Sequence, residues 1–135
     1  MMLHHIGISS RNIEKDISFF TYFGYSIKGN LREDNLASIK VQFMEAEGQP
    51  DIELVENLKK GDGPMTPHLQ AKRKIFHYAY ETNSIEKKAQ EIIDLHGGFY
   101  LVPIQYVDDT ISDIYAWCYL MFRNMMIIEL VQVKG

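Results

Sequence analysis

Two histidines and two glutamates stand in matched places along this chain. His5 precedes Glu53 by 48 residues, and His77 precedes Glu129 by 52. Each glutamate lies inside the same tetrapeptide, IELV, at 52–55 and again at 128–131. Each histidine is followed eight residues later by Ile-Glu-Lys, in the segments HIGISSRNIEK and HYAYETNSIEK. Order and spacing are therefore both kept, and the chain reads as two copies of one unit. A lone His or Glu in a strand is ordinarily solvated or hydrogen-bonded. A carboxylate inside an apolar strand is costly unless it is paired or metal-bound. Here that cost recurs at both equivalent places, each time with an equivalent histidine. Two imidazoles and two carboxylates make an N2O2 set for a divalent metal ion. The pattern favours one shared site built from His5, Glu53, His77 and Glu129.

The elements that must position these groups follow from local pattern. Leu3–Ile8 is short, β-branched and bounded by Ser9-Ser10, which predicts a strand. Ile13, Ile17, Phe20 and Phe23 recur at helical spacing, with Gly24 as the stop. Tyr25–Lys28, Ser38–Glu45 and Asp51–Glu56 are three further strand candidates, separated by turn residues. In the second copy Lys74–Glu81 is the strand. Asn83 with Glu86 reads as a capping box. Ile85, Ala89, Ile92 and His96 mark a helix stripe ended by Gly97-Gly98. Phe99–Pro103, Asp113–Phe122 and Met126–Val133 follow, with Arg123-Asn124 as a tight turn. The result is βαβββ twice, as modules 1–57 and 74–135, joined by a loop-rich connector at 58–73. Strand side chains alternate faces. Ile6, Ile8, Ile52, Leu54, Ile128 and Leu130 then pack under the helices. His5, Glu53, His77 and Glu129 project from the opposite face. His4 faces away from His5, His68 lies in the connector and His96 ends a helix, so these three read as non-ligands.

Bulk properties narrow the function. The length of 135 residues suits one domain, or two small halves sharing a core. The net charge is −4 and the most basic stretch, QAKRK at 70–74, is short, which argues against nucleic acid. No apolar run reaches membrane-spanning length, and MMLHHIGISS does not read as a signal peptide. A single cysteine, Cys118, excludes an internal disulfide. Its setting, AWCYLMF, predicts a packing role in a strand, and the whole suits a cytoplasmic protein. Tyr115, Trp117 and Tyr119 share one face of that strand and read as pocket lining, dimer contact or plain packing.

With HHIGI at 4–8, FHYAYET at 76–82 and both IELV strands, the chain resembles the vicinal oxygen chelate superfamily over essentially its whole length. That superfamily includes glyoxalase I, methylmalonyl-CoA epimerase, extradiol dioxygenases and antibiotic-binding resistance proteins. The resemblance implies an α+β fold in which two βαβββ modules form a cup-shaped eight-stranded sheet around a divalent ion, usually in a homodimer. In metal-using members the ligands come from the first and fourth strands of each module. Those positions here are His5, Glu53, His77 and Glu129, and the ion would be Ni, Co, Mn, Fe or Zn.

HHIGI and the connector GDGPMTPHL look most like the epimerase branch. Leu36 stands where such epimerases typically carry a further glutamate. The segments ENLKK and FRNMM replace the Asn-Trp-Gly and Asp-Pro-Asp-Gly patterns of glutathione-dependent glyoxalases. The implied activity is that of a metal-dependent isomerase, epimerase or lyase. It would move a proton next to a metal-bound carbonyl of a small acyl thioester or 2-oxo or 2-hydroxy compound. Glu129 or Glu53 is the candidate base. The alternatives are a non-catalytic small-molecule-binding protein of the resistance type and a ring-cleaving dioxygenase.

Overall fold

The computed structural model describes residues 1–108 and 113–135. Eleven elements follow in order: β1 (Leu3–Ser10), α1 (Ile13–Tyr22), β2 (Ser26–Asp34), β3 (Ile39–Glu45), β4 (Asp51–Asn57), α2 (Thr66–Gln70), β5 (Ile75–Glu81), α3 (Ile85–His96), β6 (Phe99–Tyr106), β7 (Ile114–Met121) and β8 (Ile127–Val133). The fold is α+β, with eight strands in two βαβββ modules. The chain divides into two compact units, His5–Phe76 and His77–Gly135 together with Met1–His4. No helix among the described residues is long and apolar enough to cross a membrane.

In the first unit the strand order is β2-β3-β4-β1. β1 and β4 run parallel, so Gly7 lies opposite Glu53 and Ile8 opposite Leu54. β3 and β2 continue the ladder antiparallel. Parallel neighbours need a long crossover, and α1, β2 and β3 supply it. Ile8, Ile52 and Leu54 form a core with Ile13, Tyr25 and Met44, against which Ile17 and Phe20 of α1 pack. The helix starts at Asn12, whose side chain accepts from the Lys15 N–H at 3.1 Å. It ends before Gly24, whose φ of +98° favours glycine.

The second unit repeats the plan as β5-β8-β7-β6. β5 and β8 are parallel, with Ala79 opposite Glu129. Ile85 and Ala89 of α3 pack on Ala116, Cys118, Leu120 and Leu130. Cys118 is fully buried there, in the packing role its sequence setting indicates, and burial pushes its thiol up to about 11. Gly97 closes α3 in the left-handed conformation, its N–H donating to the Ile93 carbonyl at 2.8 Å.

Three expectations need correction. The Asn83/Glu86 capping box does not form. Ser84 is the N-cap and makes no side-chain cap bond. The Glu86 carboxylate instead accepts from the Tyr106 hydroxyl on β6. Strands β2 and β6 run on to Asp34 and Tyr106, beyond the ends read at Lys28 and Pro103. The connector is not only loop, because α2 lies within it. Met65 and Leu69 join Val55 and Phe76 in a core on the Glu53 side of β4. Asn57 holds this segment, its Oδ1 accepting from the Met65 N–H at 2.8 Å and its Nδ2 donating to Thr66 Oγ1 at 3.1 Å. A Cβ on Gly63 would sit 2.5 Å from Asn57 Oδ1, so only glycine fits there.

Candidate functional site

The structure brings each histidine together with the glutamate of its own unit. In the first unit His5 Nε2 lies 3.6 Å from Glu53 Oε1, with His5 buried and Glu53 nearly so. In the second, His77 Nε2 lies 3.0 Å from Glu129 Oε1, and both side chains are buried. Strand alternation explains the placement. His5 shares a face with Gly7, and Gly7 is the register partner of Glu53. His77 shares a face with Ala79, the register partner of Glu129. The small residue at the intervening position lets imidazole and carboxylate approach over it. Underneath, Leu54 and Leu130 face the helices and are fully buried.

An aromatic ring closes one side of each pair. Phe43 on β3 is the register partner of Glu53 and meets the His5 ring edge-on at 5.4 Å. Tyr119 on β7 is the register partner of Glu129 and meets His77 edge-on at 5.1 Å. Each ring lies against one flank of its imidazole. The Phe43/Tyr119 correspondence escapes a search for shared words, because the two residue types differ.

Two further repeated contacts escape it for the same reason. Glu56 Oε1 accepts from the Ile13 N–H at 2.7 Å, and Gln132 Oε1 accepts from the Ile85 N–H at 3.0 Å. Each acceptor stands three residues after the glutamate of its IELV strand. Ser10 Oγ accepts from the Asn12 N–H at 3.2 Å, and Thr82 Oγ1 from the Ser84 N–H at 3.2 Å. Each hydroxyl stands five residues after its histidine. The strand carrying the ligand candidates is thereby tied to the start of the helix behind it.

The other histidines lie elsewhere. His4 Nε2 is 3.7 Å from Asp113 Oδ2. His68 Nδ1 contacts the Arg73 guanidinium at 2.9 Å and its ring packs on Phe76. His96 is exposed at the end of α3. Leu36 is fully exposed in the turn between β2 and β3. Nearby Asp34 is engaged in that turn, its Oδ1 accepting from the Ala37 N–H at 2.9 Å.

The donor set of each unit fits a divalent ion. An imidazole nitrogen and a carboxylate oxygen face each other in a nearly dry place, where an unpartnered carboxylate would be costly. Nitrogen and oxygen donors suit first-row divalent metals.

Comparison with known proteins identifies the family and the fold. Residues 4–109 match the family model of the Glyoxalase/Bleomycin resistance protein/Dioxygenase superfamily, and the chain belongs to that superfamily. No curated protein matches the sequence significantly. Among solved structures, a hypothetical protein from Bacillus halodurans C-125, BH1468, is 24% identical with a TM-score of 0.79, covering 99% of this chain and 95% of its own. The methylmalonyl-CoA epimerase of Mycobacterium tuberculosis is 16% identical with a TM-score of 0.73, covering 98% of this chain and 88% of its own. A methylmalonyl-CoA epimerase in complex with methylmalonyl-CoA and NH4+ is 17% identical with a TM-score of 0.78, covering 98% and 94%. The neighbours thus include enzymes, and at these identities they establish the shared fold.

Proposed function

We propose that this protein is a metal-dependent enzyme that transfers a proton next to a carbonyl. Its substrate is a small acyl thioester or a 2-oxo or 2-hydroxy compound. His5, Glu53, His77 and Glu129 hold one divalent ion, which is nickel, cobalt, manganese, iron or zinc. The observation that carries this reading is the pair of buried His–Glu contacts at equivalent places of the two units. A structural ion pair would account for either one. Its recurrence on an apolar strand in both units is better explained by a common ligand role.

Held by His5, Glu53, His77 and Glu129, a divalent ion would supply Lewis acidity to a carbonyl oxygen and so make the neighbouring C–H more acidic. Glu129 is the preferred base. Its carboxylate oxygen receives the proton, the C–H electron pair stays on carbon, and the same carboxylate returns the proton to the product. General-base help of this kind typically contributes ~10²–10⁴ in rate. His77 orients that carboxylate through the 3.0 Å contact. Glu53 has the looser contact and is the alternative base. Epimerisation requires proton delivery to both faces of a carbon, and thus two acid–base groups. The exposed Leu36 supplies none. This favours a one-base isomerisation or lyase reaction over two-base epimerisation of methylmalonyl-CoA.

Metal analysis of protein purified without added metal, followed by solvent deuterium exchange into candidate thioesters and 2-hydroxy compounds, tests the proposal. About one ion per chain is expected, with exchange lost in Glu129→Gln. Rapid epimerisation of methylmalonyl-CoA by the wild type refutes the substrate assignment. A filled metal site with no exchange or turnover of any carbonyl compound makes this a resistance-type binding protein. Consumption of oxygen with a catechol identifies a ring-cleaving dioxygenase.

A further inference from the structure

The two ligand-bearing faces are alike at the metal candidates and unlike one step further out. In the first unit the position two residues before Phe43 is Val41, the register partner of Val55. Val41 packs against the Val55, Met65 and Phe76 core, so the connector closes that side with aliphatic and sulfur side chains. In the second unit the same position is Trp117, the register partner of Val131. Trp117 meets Tyr119 at 5.5 Å, and Tyr119 meets His77 at 5.1 Å. Beyond Trp117 the pairing of β7 with β8 slips between Ile114 and Ala116, and Tyr115 turns to Tyr106, edge-on at 5.6 Å. Two rings, Tyr119 and then Trp117, therefore lead away from the His77–Glu129 pair.

We infer that Tyr119 and Trp117 form a specificity wall, and that the substrate carries a flat, unsaturated or aromatic substituent beside its chelating oxygens. The inference rests on the proposed reading of the site and adds the class of side group to it. Aromatic rings favour stacked or edge-on partners at centroid separations of 4.5–7 Å. A methyl group gains little from such a wall, whereas a planar substituent reaches Tyr119 while its oxygens stay by Glu129.

Trp117 is the only tryptophan of the chain, so its fluorescence reports occupation of the wall directly. Benzoylformate and pyruvate are the probes, because both carry adjacent carbonyl and carboxylate oxygens and only the first adds a ring. Protein as purified, with its metal content measured, is titrated with each. Benzoylformate is expected to change Trp117 emission and to bind about tenfold tighter than pyruvate, equal to about 1.4 kcal/mol. By calorimetry, Trp117→Leu and Tyr119→Leu should each bring the two affinities closer, and Trp117→Phe should keep the preference. Equal affinities in the wild type, or a preference that survives both leucine variants, overturns the inference. So does absence of benzoylformate binding at any metal content. A metal-free protein that still prefers benzoylformate through Trp117 retains the wall and overturns the metal reading instead.

Discussion

Glu129 is the base of the proposed reaction, and its surroundings are more restrictive than its type. It lies between Ala79 on one neighbouring strand and Tyr119 on the other, with His77 at 3.0 Å. Ala79 is fully buried, so the site has room for one methyl group there and no more. Ala79→Leu should strain this packing by about 1–3 kcal/mol and push the carboxylate off its contact. The expected outcome is a lower urea midpoint together with loss of most bound metal. Retained metal in a destabilised variant would show that Ala79 serves packing alone. His77→Ala and Glu129→Gln should each greatly reduce metal content while the far-ultraviolet circular dichroism keeps its native form. Unchanged metal in both variants removes these two residues from the ligand set.

At the scale of elements, the contacts that tie strand to helix are the testable ones. Gln132→Leu leaves the Ile85 N–H without its acceptor, and Glu56→Leu does the same to Ile13. Lost helix caps and buried hydrogen bonds of this kind cost about 1 kcal/mol. Each variant should lower the urea midpoint accordingly, and Gln132→Glu, which keeps an acceptor, should lower it less. Midpoints equal to wild type in both leucine variants would discount the caps. Tyr106 binds β6 to α3 through Glu86, and that hydrogen bond pushes its hydroxyl up to about 12 from an ordinary 10.0. A raised phenol contributes stability that is full below pH 10 and lost as pH rises through about 12. Tyr106→Phe should therefore abolish the last tyrosinate absorbance step and flatten the stability profile over that window.

These same elements mark what the sequence made legible. The IELV strands and the histidine strands announce themselves because the same words stand where burial constrains the side chain in both units. The ends of β2 and β6 did not. Gly29-Asn30 read as turn residues and Pro103 as the last residue of its strand, but they sit at irregularities, where the pairing slips between Lys28 and Arg32 and again between Val102 and Gln105. An edge strand tolerates such slips because one side of it is unpaired. The five-residue α2 is too short for periodicity to reveal. The capping box failed because the helix begins one residue later, with Ser84 and not Asn83 as its N-cap, and Glu86 bonds Tyr106 instead. Phe43, Tyr119, Glu56 and Gln132 needed the register, since the repeat preserves their geometry and not their identity.

At the scale of the whole molecule, the exposed apolar surface argues for assembly. Every residue of β2 is exposed, including Ile27 and Leu31 at about half of their full area. On β6, Phe99 and Leu101 are similarly open. β2 and β6 are each the last strand of their own unit's ladder, so each carries unpaired backbone groups beside that apolar surface. The end of α1 and the residue after it add Phe19, Tyr22 and Phe23, where Phe23 touches both other rings and all three remain exposed. Long open edges of this composition invite pairing with another chain unless they are covered. A homodimer that covers them would bury roughly 1,200–2,000 Å² in all, the usual size of a stable interface. Light scattering at micromolar concentration should therefore give about twice the chain mass of 15.7 kDa. Leu31→Lys and Leu101→Lys place a charge on one edge each, and the variant that yields monomer identifies the edge in use. If both remain dimeric, the contact lies elsewhere, with the Phe19–Phe23 surface next to be charged. A wild-type protein that is monomeric under these conditions contradicts the assembly itself, and the exposed strands would then stand as tolerated edges.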